Sequence, residues 1–284
     1  MSRFVRPGHP YLAGAPLLFA HRGGAHLAPE NSIEAFRSAV DVWGADVLEM
    51  DVHATRDGEL VVIHDETVDR TTDGTGPVAE LTWDELRELD AGYAFVDLEG
   101  RHSFRDRGVR IPRFVEVLDS FPVVRLNVDA KNPAVAPRLV ELVTESGQEH
   151  RVLLASEHEE GRAARFGYRG PTSATRRQIQ LFYILHHLPL GAGYCPRVEA
   201  LQIPYWWEGR QVTTPRLVRA AHRRNIAVHV WTIDDPDLMR TLLGWGVDAI
   251  QTDRPDLLAR VLHEETGRAL PEGHRSADQA PEAS

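Results

Sequence analysis

From residue 17 onward the chain alternates short apolar runs with stretches of helical spacing. Residues 17–20, 46–52, 123–128, 152–155, 200–203, 227–231 and 248–252 read as strands, with a weaker strand at 171–174. Between and after them, 32–43, 114–118, 137–145, 178–187, 215–224, 237–243 and 255–263 space their apolar residues at helical intervals. Strand–helix alternation implies parallel pairing through right-handed crossovers. Eight such units in about 250 residues predict an α/β fold, a (β/α)8 TIM barrel. One stretch breaks the rhythm. Residues 66–110 are turn-rich and weakly periodic, apart from a short helix opening at Thr82 with capping-box character, and are expected to be an insertion, a small lid or subdomain after the second strand.

The expected domain plan is an N-terminal extension at 1–16, a barrel at 17–265 and a disordered tail at 266–284 rich in Glu, Pro, Ala and Ser. The composition, 42% hydrophobic and 26% charged, is that of a globular chain with a sizeable core. A formal charge of -10 argues against a nucleic-acid or anionic-membrane binder. A single cysteine, Cys195, rules out an internal disulfide, and with no partner for nucleophilic catalysis it reads as inert. The first 16 residues read as neither signal peptide nor membrane span, so the expected location is the cytoplasm, without stable membrane insertion.

Chemistry collects on the second strand. Glu49 and Asp51 interrupt an apolar run on alternate positions, so their carboxylates share one face. Buried like charges side by side repel and lose hydration, which calls for positive charge between them. The Asp57-Gly58 turn is too short for a parallel crossover, so residues 60–63 fold back as a hairpin arm and bring His64 near the pair. His21 and Arg22, Asp129 and Lys131, and Trp231 also fall at the C-terminal ends of expected strands, the rim where barrel enzymes build their sites. Glu49, Asp51 and Asp129 suit a hard divalent cation such as Mg²⁺ or Ca²⁺, with Mn²⁺ a further candidate. Arg22 and Lys131 suit a phosphate. His21 and His64 are the proton-transfer pair, and Trp231 is a pocket wall.

Several features have plainer readings. Thr252-Asp253-Arg254-Pro255 reads as a structural cap for the last helix. Tyr205-Trp206-Trp207 suits either the leaving group or loop packing, and His186-His187 has no metal-ligand spacing.

His21-Arg22-Gly23, Pro29-Glu30-Asn31, Glu49-x-Asp51, Thr55-x-Asp57-Gly58, His64-Asp65, Arg70-Thr71-Thr72, Asn127-x-Asp129-x-Lys131, Trp231-Thr232 and Thr252-Asp253-Arg254-Pro255 together resemble the glycerophosphodiester phosphodiesterase family, from about residue 17 to 260. That resemblance implies a TIM barrel with an insertion after strand two, a divalent metal and a histidine acid/base pair. It also implies hydrolysis of a small-molecule glycerophosphodiester to glycerol 3-phosphate and an alcohol. His21 then deprotonates the attacker, which is water or the glycerol 2-hydroxyl, and His64 protonates the leaving alkoxide. Asp129 departs from the family's usual Glu and is one methylene shorter, which bears on metal identity and rate. Two other activities stay open: a lysophospholipase D with Tyr93, Phe95, Trp206 and Trp207 as an apolar wall, and a barrel that binds phosphodiesters without turnover.

Overall fold

The structure, a computed structural model, describes residues 8–188 and 193–271. Seven strands form one curled parallel sheet: β1 (Leu17–Ala20), β2 (Val47–Ala54), β4 (Arg125–Ala130), β5 (Val152–Ala155), β6 (Ala200–Pro204), β9 (Ala227–Trp231) and β10 (Ala249–Thr252), in the spatial order β5-β4-β2-β1-β10-β9-β6. The hairpin arm is present as β3 (Leu60–Val62), antiparallel to the end of β2 with Val52 opposite Val62. A second, unforeseen hairpin joins β7 (Trp206–Trp207) to β8 (Arg210–Gln211).

The expected eighth strand at 171–174 is not a strand. Single parallel bridges, Leu154 to Thr172 and Ser173 to Ala200, span the gap between β5 and β6. Pro171 has no N–H to give, and Thr175 already caps the following helix, so too few residues remain for a ladder. The strand expected at 123–128 begins later, at Arg125, and includes Asp129, because Val123 lies exposed while β4 pairs with β2 from Arg125 to Ala130.

Helices α1 (Ile33–Asp41), α3 (Phe114–Ser120), α4 (Ala136–Glu145), α5 (Arg176–Leu185), α6 (Pro215–His222), α7 (Pro236–Gly244) and α8 (Pro255–Thr266) cover the outer face. Side chains alternate along each strand. Leu48, Met50, Val128, Ile203 and Val230 point outward into a core with Phe36, Leu139, Phe182, Leu217 and Leu258 from the helices. Leu17, Phe19, Val47, Leu153, Ala200, Ala227 and Ala249 point inward and pack together with Tyr11. Tyr11 belongs to the expected extension, and its hydroxyl donates to the Leu126 carbonyl at 3.1 Å, so the chain ahead of β1 stoppers the sheet from below.

Residues 66–110 hold a short 3-10 turn and the four-residue α2 (Trp83–Leu86), capped reciprocally by Thr82 and Glu85. Their apolar side chains, Val68, Val78, Leu86, Ala91 and Val109, gather on Val61, Ile63 and Ile111. At the other end, the expected tail begins ordered: α8 runs to Thr266, and Arg268 bonds Asp46 at 2.5 Å and the Gly44 carbonyl at 2.7 Å. The rest of the expected tail, and residues 1–7 of the extension, lie outside the described residues. Among the described residues no helix is long and apolar enough to cross a membrane.

Removing the Tyr11 stopper leaves a cavity beneath the inner layer. Tyr11→Ala is expected to destabilise the fold by about 3–5 kcal/mol, the usual range for large aromatic truncations, with kcat of the folded fraction unchanged. Urea titration followed by circular dichroism checks the first expectation and an activity assay the second.

Candidate active site

The inward faces of β2 and β4 set the site. Strand register places Glu49 beside Asn127 and Asp51 beside Asp129. One level up, the turn after β1 brings in His21 and Arg22, and it follows a path few residues allow. Arg22 has φ +51° and Gly23 φ +85°. A Cβ on Gly23 would meet the Ala35 Cβ of α1 at 2.8 Å, so glycine lets the turn lie flat on that helix.

His21, Arg22, Glu49, Asp51, His64, Asp129, Lys131 and Trp231, every residue expected at the site, line one cavity of about 690 Å³ at the C-terminal rim. Its floor is a polar layer: Gln202 donates to Asn127 Oδ1 at 2.8 Å and lies 3.4 Å from His229 Nδ1. His229 is fully buried, and burial lowers its pKa to about 4, so the ring is neutral. One flank is largely apolar, with Ile179, Tyr183, Trp207 and Val212. Of the four aromatics considered for an apolar wall, Trp207 lines the cavity; Tyr93, Phe95 and Trp206 do not.

Both histidines are fixed in the same manner. The Nδ1 of His21 faces Asp253 Oδ1 at 2.7 Å, and the Nδ1 of His64 faces Asp65 Oδ1 at 2.6 Å. A carboxylate only accepts, so each Nδ1 carries the proton and each Nε2 is free for chemistry. His21 Nε2 lies 3.9 Å from Glu49 Oε2. Burial opposes protonation of His21, but the Asp253 hydrogen bond and the Glu49 charge outweigh it and raise its pKa.

The carboxylates differ in their support. Asp51 Oδ1 is 2.9 Å from Lys131 Nζ, and Oδ2 accepts from Asn31 Nδ2 at 3.0 Å. Arg22 Nε is 3.3 Å from the same oxygen but poorly aligned, an ion pair rather than a hydrogen bond. Against burial, Lys131 and Arg22 hold the Asp51 carboxyl down at about 2. Glu49 accepts the Arg22 backbone N–H at 2.9 Å. Burial, with the Asp51 charge adding to it, pushes Glu49 up to about 7.

Three carboxylates on one inward face are a fitting donor set for a hard divalent cation. Raised to about 7, Glu49 is compensated less by the protein's own cations than Asp51 is. Lys131 also reaches Asp129, at 2.8 Å, so it stands between two of the three carboxylates and meets each with one of its three N–H donors. Among the described residues the acidic and histidine group whose ligand-type atoms converge within 4.8 Å of one another is His26, Asp234 and Asp253, not Glu49, Asp51 and Asp129, and there Asp253 is already engaged by His21.

Over residues 21–180 and 186–257 the chain matches the Glycerophosphoryl diester phosphodiesterase family. It is 33% identical over 262 residues to the glycerophosphodiester phosphodiesterase of Caldanaerobacter subterraneus subsp. tengcongensis, covering 87% of this chain and 98% of that one. The chain belongs to the glycerophosphoryl diester phosphodiesterase family. By class it is a phosphoric diester hydrolase. Within the family it is also 33% identical over 257 residues to a probable glycerophosphodiester phosphodiesterase 2 of Mycobacterium tuberculosis, covering 88% and 91% of the two chains. The glycerophosphodiester phosphodiesterase of Agrobacterium tumefaciens superposes with TM-score 0.69 at 28% identity, over 86% of this chain and 99% of that one. The Oleispira antarctica phosphodiesterase, solved with the product sn-glycerol-3-phosphate, shares the fold with TM-score 0.70 at 22% identity, over 89% and 98% of the chains.

Against this family background, one sequence reading needs correcting. Thr252-Asp253-Arg254-Pro255 was expected to be purely a cap. Pro255 does open α8, and Thr252 Oγ1 accepts the Arg254 N–H at 3.0 Å. Asp253, however, turns to His21. Its position directly after a strand, on the rim that carries the other carboxylates, is the signal that would have found it. Glu30 and Asn31 also touch the site, through Arg22 and Asp51, a placement that sequence reasoning missed.

Two expectations follow. Asp253→Ala frees the His21 ring and is expected to lower kcat by about 10²-fold, the scale of a misplaced reacting group, in steady-state assays with folding checked by circular dichroism. The second concerns pH. Since the folded-state pKa of Glu49 lies above that of an exposed glutamate, the folded chain holds that proton more tightly. The resulting stability is full below about pH 4.5 and is lost as pH rises through about 7. In chelator, Glu49→Gln is therefore expected to gain in melting temperature over the parent between about pH 5 and about pH 8. Equal shifts at both ends would contradict a raised Glu49.

Proposed function

We propose that the chain hydrolyses glycerophosphodiesters to glycerol 3-phosphate and an alcohol, with His21 and His64 as its proton-transfer pair and one bound divalent cation. The observation that carries this reading is the pairing of two histidines, each with Nδ1 held by a carboxylate, in one cavity with Arg22, Lys131 and three acidic side chains. Family membership supplies the substrate class. The seven parallel strands, with Thr172 and Ser173 in the eighth position and 66–110 as an insertion at the rim, form the (β/α)8 frame of this proposal.

Glu49, Asp51 and Asp129 would hold Mg²⁺, Ca²⁺ or Mn²⁺, which would supply Lewis-acid stabilisation of the charge on the phosphoryl group. Arg22 and Lys131 bind the non-bridging oxygens. The Nε2 of His21 takes the proton of the attacking hydroxyl as its oxygen bonds to phosphorus. The bond from phosphorus to the alcohol oxygen breaks, and the Nε2 proton of His64 goes to that oxygen. The attacker is water, or the glycerol 2-hydroxyl, in which case a cyclic phosphate forms first and water opens it.

The apolar flank of Ile179, Tyr183, Trp207 and Val212 favours a second substrate reading, lysophospholipase D action on a lysophospholipid whose chain lies along it.

Metal-stripped protein resupplied with each cation, assayed on a panel of glycerophosphodiesters and lysophosphatidylcholine, tests both readings. Glycerol 3-phosphate release that needs the cation and disappears in His21→Ala supports the first. Faster choline release from lysophosphatidylcholine than from glycerophosphocholine supports the second. Stoichiometric binding without product under every cation overturns both in favour of a binding barrel.

A further inference from the structure

Arg70 lies outside the cavity, in the stretch that follows β3, and the mechanism above gives it no task. Its guanidinium nevertheless bonds two carboxylates from different segments. Nε is 2.5 Å from Asp65 Oδ2, while Nη1 and Nη2 each lie 2.8 Å from the two oxygens of Glu30. Each carboxylate holds a working group of the cavity with its other contacts. Asp65 Oδ1 accepts from His64 Nδ1 at 2.6 Å. Glu30 Oε1 accepts from Arg22 Nη1 at 3.1 Å. The contacts thus run unbroken from His64 through Asp65, Arg70 and Glu30 to Arg22.

A single half-exposed ion pair contributes little. Here one rigid fork meets two carboxylates at once, a geometry that a point charge such as lysine does not reproduce. Without the fork, Asp65 and Glu30 become neighbouring like charges, each left to its remaining partner, and the side chains of His64 and Arg22 lose their common reference. The backbones at these two positions are held separately: His53 Nε2 bonds the His64 carbonyl at 3.0 Å, and the Asn31 N–H bonds the Arg22 carbonyl at 2.8 Å. What Arg70 governs is therefore side-chain direction rather than the path of the chain.

We propose that Arg70 is a positioning residue: by clamping Asp65 to Glu30 it sets the His64 ring and the Arg22 guanidinium at a fixed relative placement, so that leaving-group protonation and phosphate binding act on one bound diester. The proposal rests on the reading of His64 as proton donor and Arg22 as phosphate ligand.

The test compares Arg70→Ala and Arg70→Lys with the parent on two esters of sn-glycerol 3-phosphate. One releases choline, whose alkoxide needs a proton; the other releases p-nitrophenolate, which does not. For Arg70→Ala, kcat/KM is expected to fall about 10²-fold on the choline ester, within the range of lost acid catalysis, and about tenfold or less on the nitrophenyl ester. Arg70→Lys, which keeps the charge and loses the fork, is expected to show the same order of sensitivity with smaller losses, and it carries the test if the alanine variant does not fold. Equal losses on the two esters, or no loss on either, overturn the proposal. A parent enzyme that hydrolyses neither ester defeats the functional reading itself. Parent turnover with a loss indifferent to the leaving group defeats the role of Arg70 alone.

Discussion

A buried negative charge at Asp51 dictates much of the surrounding architecture. An ionised carboxylate in a protein interior is tolerated only when cations and hydrogen bonds replace the water it gave up. Here the replacements come from three separate places in the chain: Arg22 from the turn after β1, Asn31 ahead of α1, and Lys131 at the end of β4. Each must arrive on its own segment, so satisfying one charge fixes how those segments meet. Glu49, two residues back on the same face, has the Arg22 backbone N–H, and His21 at 3.9 Å, as its nearest support. The contrast between a carboxyl held near 2 and another pushed to about 7 is the electrostatic signature of this rim.

The pairing of β1 with β10 gives the site its second constraint. Ala20 lies opposite Thr252, so the residues just beyond them, His21 and Asp253, become neighbours although 232 positions separate them. His64 finds its carboxylate one residue away, in Asp65. The two histidines of the proposed proton-transfer pair are therefore held differently, one through the pairing of β1 with β10 and one by local chain geometry.

That difference explains what could be read from sequence. Strands and helices were legible because their apolar periods differ, and the rim residues because barrel sites gather at strand ends. The His64–Asp65 contact is local and could be seen directly. The Asp253–His21 contact follows only from knowing that the first and last strands pair. The eighth strand was over-read because the strand–helix rhythm asks for one there, while Pro171-Thr172-Ser173-Ala174 forms only two single bridges. The β7–β8 hairpin was missed for a stricter reason. Its turn places Glu208 at φ +46° and Gly209 at φ +77°. Glutamate is not among the residues that announce such a turn.

The stopper formed by Tyr11 also governs molecular traffic. With the inner apolar layer packed on Tyr11 below and the polar layer of Asn127, Gln202 and His229 above it, the described residues leave no passage through the sheet. Whatever reaches Glu49 and His21 comes in across the rim and departs the same way. Both products of a diester have to clear that doorway. A new diester meets the site only after both have gone, so one doorway serves arrival and clearance alike.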